Sequence, residues 1–290
     1  MSSFRTPIAF CLTYIIFCFF SSCNGIGKKK KFADSDMYNF SRPTVIKLPT
    51  DVDEISGIAY YPKDTSVFAI VDEDGMLFKI PIMNPNALKE WRFDKRRDYE
   101  DIVLIDSTFY ILVSNGDIVT VKFNHDSIST TKANFSDQSK KVNEFESLYL
   151  DPDSDKLVMI CKECEEDTKK SFSSFSYDYK QPANGYMPFV TADAVPIARS
   201  IGQDKFHVKA SAAAVNPVTE DLYIISAVNK MIVITSKKGE FKKVYKLDPG
   251  IYKQPEGIAF TPQGDMIISN EFADNGFPEL LILKNKLKGR

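Results

Sequence analysis

From residue 44 to the end, apolar and polar positions alternate in short runs separated by turn residues. Alternation with period two marks half-buried strands, and short apolar runs closed by Gly, Pro, Asn or Asp mark buried ones. A first group predicts strands at 57–61, 66–71, 76–80 and 88–93, with a turn at Asp72-Glu73-Asp74-Gly75. A second predicts 102–105, 108–113, 118–123 and 128–135, with Asn115-Gly116 as a strong hairpin signal. A third predicts 148–150, 157–160 and 171–179 without a clear fourth strand. About 180–205 reads as an insertion, with one strand near Val190 and a helical turn near Ile197. A fourth group predicts 212–215, 222–226, 231–235 and 241–247, and a fifth only 258–260, 266–269 and 279–283.

Each group opens on a small or acidic residue followed by an apolar run. These anchors are Ser56, Glu100, Glu146, Ser211 and Glu256, separated by 44, 46, 65 and 45 residues by subtraction. A period in the forties with about four strands per repeat is the signature of a propeller. The last group lacks an outer strand, and an orphan strand, 45–48, precedes the first. Pairing the two removes an open sheet edge. The expected fold is therefore all-β: a five-bladed β-propeller over 43–290, closed by its N-terminal strand.

In a propeller the first strand of each blade lines the central channel, so the anchors should ring one mouth. Residues ending each second strand should gather beside them: Asp72, Glu73, Ser114, Lys162, Ser226, Asn270 and Glu271. With Ser56 and Ser211 these are the candidate ligand contacts. Glu100, Glu146 and Glu256 are the candidate metal ligands. Carboxylates held this close repel and need compensation. Either a cation sits among them or backbone N–H groups of the next blade do the work. Calcium suits an irregular all-oxygen set, and zinc or iron would want His or Cys.

The formal net charge of −2 gives no basic surface for a nucleic acid. Residues 1–22 combine Arg5 with an apolar run from Ile8 to Phe20, too short to span a bilayer. Small residues precede Cys23, as in a bacterial lipoprotein signal whose cysteine is lipidated. This expectation places the protein at the cell envelope, on the inner or outer membrane. Residues 23–42, with Lys28 to Lys31, read as a flexible tether. Cys161 and Cys164 then remain as the thiols of the folded part, either as a local disulfide or as two free thiols.

The phrases Ser56-Gly57-Ile58, Asp98-Tyr99-Glu100-Asp101-Ile102, Phe145-Glu146-Ser147-Leu148 and Pro255-Glu256-Gly257-Ile258 resemble the SdiA-regulated family. Its members are exported bacterial proteins distantly similar to NHL-repeat propellers. The resemblance implies a five-bladed propeller with a bound calcium ion, and no particular activity. Two functions stay open. One is a binding module that holds a small ligand, glycan or protein at the channel mouth. The other is a calcium-dependent hydrolase of lactones or phosphate esters. No catalytic residues are assigned, because neither His125 nor His207 lies beside an anchor and Ser56 and Ser211 lack a base.

Overall fold

The computed structural model describes residues 32–124, 127–135, 143–165, 167–271 and 276–287. The signal segment, Cys23 and His125 lie outside the described residues. Five antiparallel sheets of four strands form the fold. Blade one is β2 (Ile55–Tyr61), β3 (Ser66–Val71), β4 (Met76–Pro81) and β5 (Lys89–Arg92). Blade two is β6 (Tyr99–Ile105), β7 (Thr108–Val113), β8 (Ile118–Asn124) and β9 (Ser127–Ala133). Blade three is β10 (Glu144–Asp151), β11 (Lys156–Glu163), β12 (Ser171–Tyr177) and β13 (Tyr186–Asp193). Blade four is β14 (Ala212–Val215), β15 (Leu222–Ser226), β16 (Met231–Thr235) and β17 (Phe241–Lys246). Blade five is β18 (Pro255–Phe260), β19 (Met266–Asn270) and β20 (Glu279–Leu283), completed by β1 (Thr44–Lys47).

The closure expected from the orphan strand is present. Strand β1 pairs antiparallel with β20, from Thr44 opposite Ile282 to Lys47 opposite Glu279. The inner strands touch in the cyclic order β2, β6, β10, β14, β18 and back to β2. Close approach explains two glycines that follow anchors. A Cβ on Gly57 would stand 2.5 Å from the Asp101 backbone, and one on Gly257 would stand 2.6 Å from the Ser56 carbonyl. Five apolar clusters fill the spaces between neighbouring blades.

Two segments differ from the sequence expectation. The stretch read as an insertion holds blade three's own outer strand, β13, and the short helix α1 (Val195–Ser200). The strand expected near Val190 and the helical turn expected near Ile197 are these two elements; with Ala192 its one buried position, β13 carries too little apolar alternation to mark it as a blade strand. The stretch read as tether is partly core. Met37, Tyr38 and Phe40 are buried between blades four and five. The Tyr38 hydroxyl donates to the Gly264 carbonyl at 2.6 Å and accepts from Asn216 Nδ2 at 2.7 Å. Among the described residues no helix is long and apolar enough to cross a membrane.

Candidate metal centre at the channel mouth

Four anchors, Ser56, Glu100, Glu146 and Glu256, lie inside the inner strands, not just ahead of them as the apolar runs imply, while Ser211 stands just ahead of β14. In blade two Tyr99 pairs with Val113 and Asp101 with Leu112, so Glu100 is an extra, unpaired residue. Glu146 is extra in the same way between Phe145 and Ser147, and Glu256 between Pro255 and Gly257. In blade one Ser56 and Gly57 together oppose a single residue, Ile70. Each is a β-bulge, which kinks the strand locally and re-aims a side chain. The bulge releases an acid from the strict in-and-out alternation that would otherwise bury it between blades. Blade four uses a hydroxyl instead. Ser211 Oγ donates to the Pro255 carbonyl at 3.1 Å and accepts the Ala227 N–H at 3.1 Å, stitching blade four to blade five.

The bulged residues open onto a cavity of about 300 Å3. Glu100, Glu146, Glu256, Ser56, Asp72, Lys162 and Glu271 all line it. Three further acids join them that the sequence reading missed: Glu54, Asp98 and Glu144. A signal for them existed. Each stands two residues before an anchor, and positions two apart on a strand share a face. The other candidates do not line this cavity. Glu73 is exposed and pairs with Arg96. Ser114 binds Asp98 from outside. Ser226 is buried and accepts from Asn229 Nδ2 at 2.9 Å. Asn270 is buried, accepting the Gln254 N–H at 3.1 Å and donating to the Ile251 carbonyl at 3.1 Å. Ser226 and Asn270 end second strands as expected, but their side chains brace the neighbouring loops.

The lining thus holds eight carboxyl groups and one lysine. Lys162 Nζ reaches Glu144 at 2.8 Å and also binds Glu146. Among the described residues no other lysine or arginine lines this cavity. Burial first, then the charges of Glu146, Asp98 and Asp72, push Glu100 up to about 10. Burial, then the hydrogen bond and charge of Asp98, push Asp72 up to about 7. Burial and the charges of Glu146 and Glu271 push Glu256 up to about 7, with Lys162 and Lys230 pulling the other way. Burial also raises Glu146 against the pull of Lys162. Burial opposes ionisation of Asp98, but hydrogen bonds from Asp72, Ser114 and Glu100 outweigh it and hold its carboxyl below the ordinary range. Without another cation, this group shares protons.

One acid nearby has a different role. Asp101 is buried, and its two oxygens accept the Ile102 and Leu148 N–H groups, each at 2.8 Å. Burial raises its carboxyl well above the usual range, and those two bonds pull it back.

A cation fits the mouth on three counts. Oxygen atoms of Asp72, Asp98 and Glu100 all lie within 4.8 Å of one another. Asp72 Oδ1 is buried without a hydrogen-bond partner. The donors are all hard oxygens, the chemistry of calcium or magnesium and not of zinc. Glu146, placed with Glu100 and Glu256 in the expected ligand set, is instead occupied by Lys162 in this arrangement. Cys161 and Cys164 form a disulfide, and Lys162 sits inside its short loop. A second group, Cys161, Cys164 and Asp167, also comes together, but its sulfurs are bonded to each other.

A family model described as SdiA-regulated matches residues 43–277. The chain belongs to the SdiA-regulated family. No curated protein matches the sequence. Among solved structures the chain is similar to a glutaminyl cyclase from Myxococcus xanthus, at 13% identity and a TM-score of 0.56 over 83% of this chain and 94% of that one. It is also similar to a luciferin-regenerating enzyme, at 10% identity and a TM-score of 0.52 over 84% of this chain and 96% of that one. At these identities the likeness shows the propeller fold alone. The family match covers the four phrases around Ser56, Glu100, Glu146 and Glu256, so the bulged acids of the mouth belong to the shared part of the chain.

Proposed function

We propose that this SdiA-regulated protein is an exported, lipid-anchored propeller that holds calcium at its channel mouth and acts as a binding module at the bacterial cell envelope. The carboxylate cavity carries the reading. Glu100 and Glu256 are pushed far above the ordinary carboxylate range by burial and by each other's neighbours. A divalent ion would relieve that repulsion, held by Asp72, Asp98 and Glu100 with Glu256 within its field. When bound, calcium would supply positive charge and open coordination positions for a ligand's oxygen atoms.

Export rests on the pattern of residues 1–23 and on the Cys161–Cys164 bond, since disulfides persist in oxidising compartments. Lipid at Cys23 would supply the membrane contact. Binding is favoured over hydrolysis by what lines the mouth. No histidine lines it among the described residues, and the Ser56 hydroxyl faces the Glu54 carbonyl at 3.4 Å. Eight carboxylates also repel a phosphate ester.

Titration of calcium into chelator-treated protein, followed by calorimetry, tests the metal. Saturable binding in wild type, lost in Glu100→Gln, supports it. Heat indistinguishable from dilution in wild type rejects it. Mass spectrometry of the native N-terminus tests the anchor: a diacylglyceryl-modified Cys23 is expected, and an unmodified chain starting elsewhere rejects it. Turnover of lactones or phosphate esters that needs both calcium and Glu100 would replace the binding reading with the hydrolase one.

A further inference from the structure

A cleft of about 420 Å3 lies away from the mouth, between the outer parts of blades two and three. Its blade-two wall is built by strand register. Tyr110 stands opposite Thr120, and Thr120 opposite Thr131, so the three form one row across β7, β8 and β9. Lys122 stands opposite Ser129 in the next row on the same face. The other face of β7 and β8 is apolar, while β9 adds Thr130 and Lys132 to it. Val119 and Val121 are fully buried there, and the Phe123 ring lies 5.0 Å from Trp91 and 5.9 Å from Phe109. The same sheet therefore presents an apolar face to blade one and hydroxyls with an ammonium to blade three.

Across the gap stand Tyr177, Tyr179 and Pro182. Tyr179 is fixed, its ring 5.3 Å from Tyr110 and its hydroxyl donating to Asp155 at 2.7 Å. Tyr110 and Tyr177 are largely buried, but their hydroxyls open onto the cleft and make no hydrogen bond among the described residues. The Lys122 ammonium has no ion pair there either, whereas the adjacent Lys132 is held by Asp94 at 2.7 Å. The cleft thus combines aromatic faces, unclaimed hydroxyls and one unclaimed positive charge.

That combination selects a ligand class. A wholly apolar ligand would strip water from the hydroxyls without replacing its hydrogen bonds, which is costly. A nucleotide would bring several negative charges to one lysine. A sugar ring offers an apolar C–H face for tyrosine and a rim of hydroxyls for Thr120 and Thr131, beside Ser129, whose Oγ already accepts from Asn124 Nδ2 at 3.0 Å. A carboxylate on that ring would meet Lys122. The volume suits a small ligand, within the range of about 300–1,000 Å3 typical of such sites. We propose that the cleft between blades two and three binds an acidic sugar, a uronate unit, independently of any metal at the mouth.

Saturation-transfer NMR and calorimetry with glucuronate and galacturonate, and with glucose as the neutral comparison, test this. Wild type should bind a uronate with a dissociation constant of about 0.1–5 mM, a free energy of roughly −3 to −5.5 kcal/mol. Lys122→Met should weaken the uronate about fivefold or more and leave glucose unchanged. Thr131→Trp, at an exposed position, should fill the cleft and abolish both signals while circular dichroism stays native. Chelator should change nothing. No transfer from either uronate to wild type overturns the proposal, as does uronate binding that survives Thr131→Trp or disappears with Glu100→Gln.

Discussion

The carboxylate of Asp101 accepts the backbone N–H of Leu148, 2.8 Å away on the next blade. Its neighbour Glu100 points into the mouth cavity. Two adjacent acids thus divide two roles, one joining blades and one facing a cation, and the bulge at Glu100 separates them. Asp101→Ala would leave two buried N–H groups unsatisfied. Each costs about 1–3 kcal/mol, so a loss of about 3 kcal/mol in urea unfolding is expected. Glu100→Gln should leave metal-free stability equal or higher, because the amide is neutral in the buried site without having to take up a proton. Asp101→Ala as stable as wild type would reject the inter-blade role.

The mouth also sets a pH dependence. Asp72 and Glu256 lie at about 7 and Glu100 at about 10 in the folded chain, all above ordinary carboxylate values. Between the ordinary values and these, the folded state binds more protons than the unfolded one. Stability of metal-free protein therefore falls as pH rises through 7 and onward. Calcium replaces those protons, so its affinity should rise over the same window. In thermal melts the metal-free midpoint should drop by about 4–8 °C from pH 5 to pH 8, the shift made by roughly 2 kcal/mol in a chain of this size. With calcium at about 100 times its dissociation constant the drop should be offset by about 2.7 kcal/mol. A metal-free midpoint that climbs over this range contradicts the shared-proton picture.

Lys162 sets how much of the mouth is left for metal. Its ammonium holds Glu144 and Glu146, and the Cys161–Cys164 bond closes the loop around it. Lys162→Met removes a competing positive charge while keeping the apolar stem. Calcium affinity should rise about tenfold, or 1.4 kcal/mol, and the metal-free midpoint should fall as Glu146 loses its partner. Calorimetry reads the first and a melt the second. Unchanged calcium affinity would mean that Glu144 and Glu146 lie outside the ion's reach.

The fold was legible where patterns repeat. Alternation, the hairpin at Asn115-Gly116 and the spare strand before a short last repeat together specified a closed five-bladed ring. The bulges were not legible, because Glu100 continues the polar end of a strand in sequence and only cross-strand register reveals the extra residue. Glu54, Asp98 and Glu144 were recoverable from their spacing of two before an anchor. Ser226 and Asn270 stand at the expected strand ends, but the channel mouth expected for their side chains is not where they point. Whether a side chain at a strand end faces a channel or a loop depends on partners distant in sequence, as with Asn270 and Ile251. Tyr38 was hidden because Met37, Tyr38 and Phe40 form too short an apolar cluster in a polar stretch to carry a period.

Closure of the ring makes the strongest demand on the N-terminal segment. Strand β1 covers β20, whose Leu280 and Leu281 are fully buried. Ahead of it Tyr38 anchors the segment through Gly264 and Asn216, and Lys286 donates its backbone N–H to the Met37 carbonyl at 2.9 Å. Folding therefore requires residues about 37–48 although they precede the first repeat. A chain starting at residue 49 should lose cooperative unfolding and aggregate through the bared β20 edge. A peptide spanning 32–48, added during refolding, should restore a soluble, cooperative fold. Tyr38→Phe is the finer probe. It keeps the ring and leaves Gly264 and Asn216 without a buried partner, so it should cost about 1–3 kcal/mol. If the shortened chain melts as sharply as the full one, blade five closes without β1 and the velcro pairing is dispensable.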